Sequence, residues 1–177
     1  MADPELEQLE RVEQELRSSF ESQLPYQMAR ASMVKHLEFL PNHHFSRASF
    51  ECKDLFISGH YVGCISLCQA VAEALTRFIC KVNDVPGSTV LDKAAKLEKR
   101  GIITSEVRAA IRTIYAHDRN TFHHLTEDIE TDNKKLGERA RDCVDALYQV
   151  ESEIFAHTVR EGAVVVKHPE YWKPMRS

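Results

Sequence analysis

Tyr61-Val62-Gly63-Cys64-Ile65-Ser66-Leu67-Cys68-Gln69-Ala70-Val71-Ala72-Glu73-Ala74-Leu75-Thr76-Arg77-Phe78-Ile79-Cys80-Lys81-Val82 decides the fold. Val62, Ile65, Cys68, Ala72, Leu75, Phe78, Ile79 and Val82 recur mainly at steps of three and four, the period of a helix. The stretch is hydrophobic on more than one face, so it is expected at the centre of a core. Gly59 punctuates the chain before it, and Pro86-Gly87 marks a turn after it. Cys64 and Cys68 are four apart, a spacing compatible with shared metal ligation. No second ligand pair accompanies them, and free cysteine is common in cores, so they read as core residues.

Upstream, Phe45, Ala48, Cys52, Leu55 and Phe56 mark another helix. Pro41-Asn42-His43-His44 is a break. Adjacent histidines cannot both face one point on a helix, which argues against a metal site there. At the N-terminus, Leu6, Leu9, Val12, Leu16 and Phe20 form an amphipathic stripe with Glu and Gln between them. Asp3-Pro4 suits the start of that helix, and the early glutamates complement its positive end. Pro25 is expected to end or bend it. A second, weaker helix is expected over residues 26–40, with Met28, Ala31, Val34 and Leu37 on one face. This region reads as a packing or dimer-forming arm.

Downstream, a short helix over residues 91–100 is stopped by Gly101. Thr104 or Ser105 can cap the next one, whose core stripe is Val107, Ala110, Ile111 and Ile114. Arg108, Arg112 and Tyr115 lie on a neighbouring face. The last long helix carries Leu136, Ala140, Cys143, Val144, Leu147, Ile154 and Phe155 and is expected to end at Gly162. Residues 163–166 are expected to be extended. His168-Pro169-Glu170-Tyr171-Trp172 is an irregular tail pinned by its rings.

The sum is an all-α bundle of about five to seven helices with a short irregular C-terminal tail. The expected divisions are an N-terminal arm (1–38), a helical bundle (39–162) and a tail (163–177), with arm and bundle forming one domain. A chain of 177 residues fits a single domain with a core of its own. Six Gly and six Pro are few, and a charged share of 28% suits a helical protein. The net charge of −4 excludes the bulk basic signature of a nucleic-acid coat protein, but allows a local basic cleft. Five cysteines, an odd number, with no secretory signal point to reduced thiols and a cytoplasmic location. No stretch reaches the ~18 consecutive apolar residues of a membrane span, so no membrane partner is expected.

The chemistry concentrates in Asp118-Arg119-Asn120-Thr121-Phe122-His123-His124. Arg119 keeps its charge at any ordinary pH, and its planar fork suits a phosphate. Histidine exchanges protons near neutrality. An arginine, a histidine and an orienting Asn120 can cleave an RNA backbone by attack of the ribose 2′-OH on the adjacent phosphate, with no metal. The leaving 5′-oxygen needs a second proton donor, which a two-fold dimer would supply. The plainer alternative is structural: Arg119 paired with Glu127 or Asp128, and a histidine capping a carbonyl.

Arg119-Asn120-x-x-x-His124 resembles the signature of HEPN domains (higher eukaryotes and prokaryotes nucleotide-binding). Gly59-His60-Tyr61 before the long apolar helix resembles that family's early helical hairpin, and the resemblance covers roughly residues 39–160. It implies a helical bundle that dimerises into a composite active site. It also implies metal-independent endoribonuclease activity on RNA, with no cofactor, in a toxin–antitoxin or defence role, and an antitoxin or regulatory protein as partner. Arg119 would then position the phosphate, His124 act as general acid or base, and Asn120 orient the pair. On a straight helix at ~100° per residue, positions 119 and 124 point about 140° apart. His123 is the better helical neighbour of Arg119 and stands as a second-rank catalytic candidate. Arg108, Arg112 and Tyr115 are candidate RNA contacts, the arginines as a basic rim and the tyrosine as a stacking platform. Thr126 stands where some family toxins carry a tyrosine that a partner nucleotidyltransferase modifies. Relatives that have lost catalysis imply a second expectation, a non-catalytic helical module that binds a protein partner or nucleotide.

Overall fold

The computed structural model describes residues 4–37, 39–41, 43–115, 127 and 130–173. Among them are six α-helices: α1 (Pro4–Met33), α2 (Ser46–Ser58), α3 (Tyr61–Val82), α4 (Val90–Lys99), α5 (Ser105–Tyr115) and α6 (Asn133–Ile154). A small antiparallel hairpin follows, β1 (His157–Arg160) and β2 (Ala163–Val166), and then a 3-10 turn, Pro169–Tyr171. The all-α expectation holds, and the helix number falls within the expected range.

Helix α3 packs on α2, α4, α5 and α6. Cys64, Ile65, Cys68, Leu75 and Ile79 are fully buried, so its apolar residues go to partners on several sides, as its sequence requires. By length and composition α3 could also cross a membrane, which the sequence reading did not anticipate. Here it is the core helix of the bundle. Its buried Thr76 satisfies its hydroxyl by donating to the Ala72 carbonyl at 2.7 Å.

The helix ends follow local chemistry. Gly59 adopts φ 82°, a left-handed conformation that glycine reaches without a Cβ clash. Its N–H donates to Phe56 O at 3.0 Å and the His60 N–H to Leu55 O at 2.8 Å, which closes α2 before α3 begins. Thr89 caps α4 by accepting from the Asp92 N–H at 3.1 Å, and Asp92 Oδ2 accepts from the Ser88 N–H at 3.0 Å. Thr104, rather than Ser105, caps α5: its Oγ1 accepts from the Val107 N–H at 3.2 Å.

Two expectations need correction. Helix α1 runs through Pro25 to Met33 without ending at the proline, and among the described residues of 26–40 no separate helix follows it. Proline removes one backbone donor from the helix. The segment around it is exposed, so water can satisfy the carbonyl left without that donor. The second correction concerns the end of α6, which stops at Ile154 rather than at Gly162. Glu161 and Gly162 both take positive φ, 52° and 78°, and form a two-residue hairpin turn. Arg160 pairs with Ala163 and His157 with Val166 across it.

The tail is anchored by rings. Tyr171 is buried, its backbone carbonyl accepts from His43 Nε2 at 2.7 Å, and its Oη accepts from Asn83 Nδ2 at 2.9 Å. Trp172 stacks on Phe39 at 5.5 Å between centroids. His43 itself is buried, 4.5 Å from the Phe78 ring by centroids, so it works as a core histidine.

Candidate functional site

Arg119, Asn120, His123 and His124 lie outside the described residues, in the sequence between α5 and α6. The described flanks of that stretch are well defined. Val107, Ala110, Ile111 and Ile114 of α5 are buried, and α5 packs along both α3 and α6. At the start of α6, Asp132 Oδ1 accepts the N–H groups of Lys134 at 2.8 Å and Lys135 at 3.2 Å. Those bonds hold the Asp132 carboxyl below its ordinary range, the Lys135 N–H first among them.

The three candidate RNA contacts share one side of α5, as their spacing requires. Arg108 is exposed, and its Nη1 forms an ion pair with Glu98 Oε2 of α4 at 2.5 Å. Arg112, one turn on, is exposed as well. Tyr115, half-buried at the last position of α5, donates from Oη to Glu73 Oε2 of α3 at 3.1 Å. Glu73 Oε1 in turn takes Arg77 Nη2 at 3.1 Å. The tyrosine is thus held at the end of α5 by an acid–arginine pair of α3. Gly137 of α6 admits the ring of Tyr61 from the start of α3: a Cβ there would stand 3.1 Å from Tyr61 Cζ. Tyr115 thus ties the end of α5 to the middle of α3, and Tyr61 packs the start of α3 against the first turns of α6.

A second polar cluster was not singled out in the sequence. Glu151 of α6 is buried, with 3% of its surface exposed, and Ser49 of α2 donates to its Oε1 at 2.5 Å. Burial lifts its carboxyl to about 7, and the serine bond opposes that rise. The acid lines a small cavity with Ser49, Tyr148, Lys53 and His36. Lys53 Nζ lies 3.0 Å from His36 Nδ1 at the mouth. One sequence signal was available: position 151 keeps phase with Val144 and Leu147, so an acid occupies a core register.

All five cysteines are free and buried. Cys64 Sγ donates to the Cys52 carbonyl at 3.3 Å. The Cys64 thiol is pushed far up, chiefly by its bond with Cys68, and burial lifts Cys143 to about 12. Cys64 and Cys143 stay protonated as thiols, and all five cysteines pack as core.

Compared with known proteins, the chain matches no protein-family model, no curated protein and no solved structure.

Proposed function

We propose that this protein is a metal-independent endoribonuclease of the HEPN type, acting as a homodimer on RNA. The observation that carries the reading is Arg119-Asn120-x-x-x-His124, which lies in the sequence between α5 and α6 of an all-α bundle. In the reaction, the ribose 2′-oxygen loses its proton and bonds to the adjacent phosphorus. The bond from phosphorus to the 5′-oxygen breaks, and that oxygen takes up a proton. The products are a 2′,3′-cyclic phosphate and a 5′-hydroxyl. Arg119 holds the phosphate and offsets its growing charge. His124 carries one proton transfer, with His123 as its understudy, and Asn120 orients the pair. A toxin–antitoxin or defence role, with a regulatory protein as partner, follows from the same resemblance.

One observation favours the second reading, a non-catalytic module that binds a protein or nucleotide. Arg108 and Tyr115, offered as RNA contacts, are both engaged by acids of their own chain, Glu98 and Glu73. The test is RNA cleavage by purified protein in EDTA, beside Arg119→Ala and His124→Ala. The ribonuclease reading expects wild type to leave 2′,3′-cyclic phosphate ends and both variants to fold but not cut. Inert wild type on varied RNAs, or variants that cut equally well, would leave the binding module standing.

A further inference from the structure

Helix α1 leaves the bundle. Its residues 5–26 are all exposed, which at ~1.5 Å per residue is ~33 Å of bare helix. Its final turns pack on α2, where Arg30 Nε donates to the Ile57 carbonyl at 2.6 Å. On the bare part, Leu6, Leu9, Val12, Leu16, Phe20 and Leu24 are between 38% and 67% exposed. They follow one another at steps of three or four, so they line one side of the helix. A lone helix is marginal in water, and a contiguous stripe of large apolar side chains marks an interaction surface. The borders of this stripe are acidic. At ~100° per residue, Glu10, Glu13 and Glu21 fall along one border with Arg17, and Glu5 and Glu15 along the other. Arg17 is paired within the helix, with Glu13 at 2.9 Å. Residues 5–21 hold six Glu and two Arg, a surplus of negative charge as large as the net charge of −4 on the whole chain.

We propose that α1 docks an amphipathic helix of a different protein, one whose apolar stripe is bordered by lysine and arginine. Charge complementarity selects this occupant. A second copy of the chain is disfavoured in either direction. In a parallel pair, residues 5–21 face themselves. In an antiparallel pair centred on the stripe, they face residues 9–25, which hold four Glu and two Arg. Both pairings set a negative segment against a negative segment, and like charges along the borders of paired helices turn a partner away. A lipid surface is disfavoured too. Helices that lie on membranes carry lysine and arginine on the polar face and are drawn to anionic headgroups, whereas this one carries glutamate. A basic-bordered helix brings opposite charge to Glu5, Glu10, Glu15 and Glu21 while its apolar side chains cover the stripe. From Leu6 to Leu24 the stripe is ~27 Å long, room for about five turns of the partner. Covering it buries on the order of 1,000–1,200 Å², the small end of specific interfaces, which suits a reversible complex.

The homodimer proposed above joins bundles, whereas this surface lies outside the bundle and outside the stretch that carries the family resemblance. Its test needs no RNA, so it stands or falls apart from cleavage. The probes are two synthetic helical peptides of ~20 residues with the same leucine stripe, bordered by lysine in one and by glutamate in the other. Titrated into the full chain at low salt, the lysine peptide is expected to bind one to one with a Kd of about 1–10 μM, and the glutamate peptide at least ~30-fold more weakly. Leu9→Ala/Leu16→Ala is expected to lower the affinity for the lysine peptide at least ~30-fold, with the thermal unfolding of the bundle unchanged. Glu5→Lys/Glu10→Lys/Glu15→Lys/Glu21→Lys is expected to reverse the preference, so that the glutamate peptide binds more tightly. Failure of both peptides to bind, or equal binding of the two, would overturn the proposal. So would binding that survives Leu9→Ala/Leu16→Ala, since the stripe would then play no part. A wild-type dimer in sedimentation equilibrium that Leu9→Ala/Leu16→Ala dissolves would make a second copy the occupant instead. Binding to phosphatidylcholine–phosphatidylserine vesicles that the same variant abolishes would assign the stripe to lipid.

Discussion

Among the described carboxyls, Glu151 is the one that burial raises furthest. Its carboxyl sits among core side chains of α6 and α2 and meets one hydroxyl, from Ser49. The folded chain therefore holds the proton more tightly than the unfolded chain, with the value raised from 4.5 to about 7. Between those two values the acid is protonated when folded and ionised when unfolded. Its contribution to stability is complete below about pH 4.5, declines as pH rises through that window, and is gone above about 7. Glu151→Gln keeps an oxygen for Ser49 and has no proton to lose. Urea unfolding is expected to find the variant ~2–3 kcal/mol more stable than wild type at pH 8, and nearly equal to it at pH 5. A variant no more stable at pH 8 would show that water reaches the carboxylate. The register of Glu151 beside Val144 and Leu147 was legible in the sequence. Its serine partner was not, because Ser49 lies on another helix a hundred residues away.

Single bonds at helix ends set how the elements meet. Thr104 caps α5, and its Oγ1 also donates to Glu153 Oε2 of α6 at 2.9 Å, so one hydroxyl starts one helix and ties it to another. Thr104→Ala is expected to cost about 1 kcal/mol, with Thr104→Ser recovering most of it. Thermal unfolding of the three proteins checks this, and an unchanged alanine variant would remove the cap from the account. The long apolar elements were the legible ones. The stripe from Val62 to Val82 and the stop at Gly59 follow from side-chain period and from glycine's reach into positive φ. Two punctuation marks misled. Pro25 reads as a break only if the helix is buried, and α1 is not. Gly162 reads equally as a helix stop or as a hairpin turn, and the β-branched Thr158, Val159 and Val164–Val166 around it favour the hairpin. The register of Arg108, Arg112 and Tyr115 on α5 was also legible. The acid partners of Arg108 and Tyr115 were not, because Glu98 and Glu73 come from other helices, α4 and α3, whose packing against α5 the sequence does not state. The motif itself, Arg119 to His124, was legible only as a pattern, and it lies outside the described residues.

At the scale of the molecule, one helix surrounded by four others gives a core that shields every cysteine of the chain from solvent. Cys52, Cys64, Cys68, Cys80 and Cys143 are 0–4% exposed. Thiol reagents attack the thiolate of an accessible cysteine, so the native chain should be nearly silent toward them. Unfolding exposes all five together if the bundle opens as one unit. A colorimetric thiol assay is expected to count close to none in buffer and all five in denaturant. Partial reaction in buffer would reveal an element that opens alone. That silence turns the buried sulfurs into a blank background. A single cysteine placed on the bare face of α1 would be the one reactive thiol in the molecule, ready for a dye, a spin label or a cross-linker without removing any native residue.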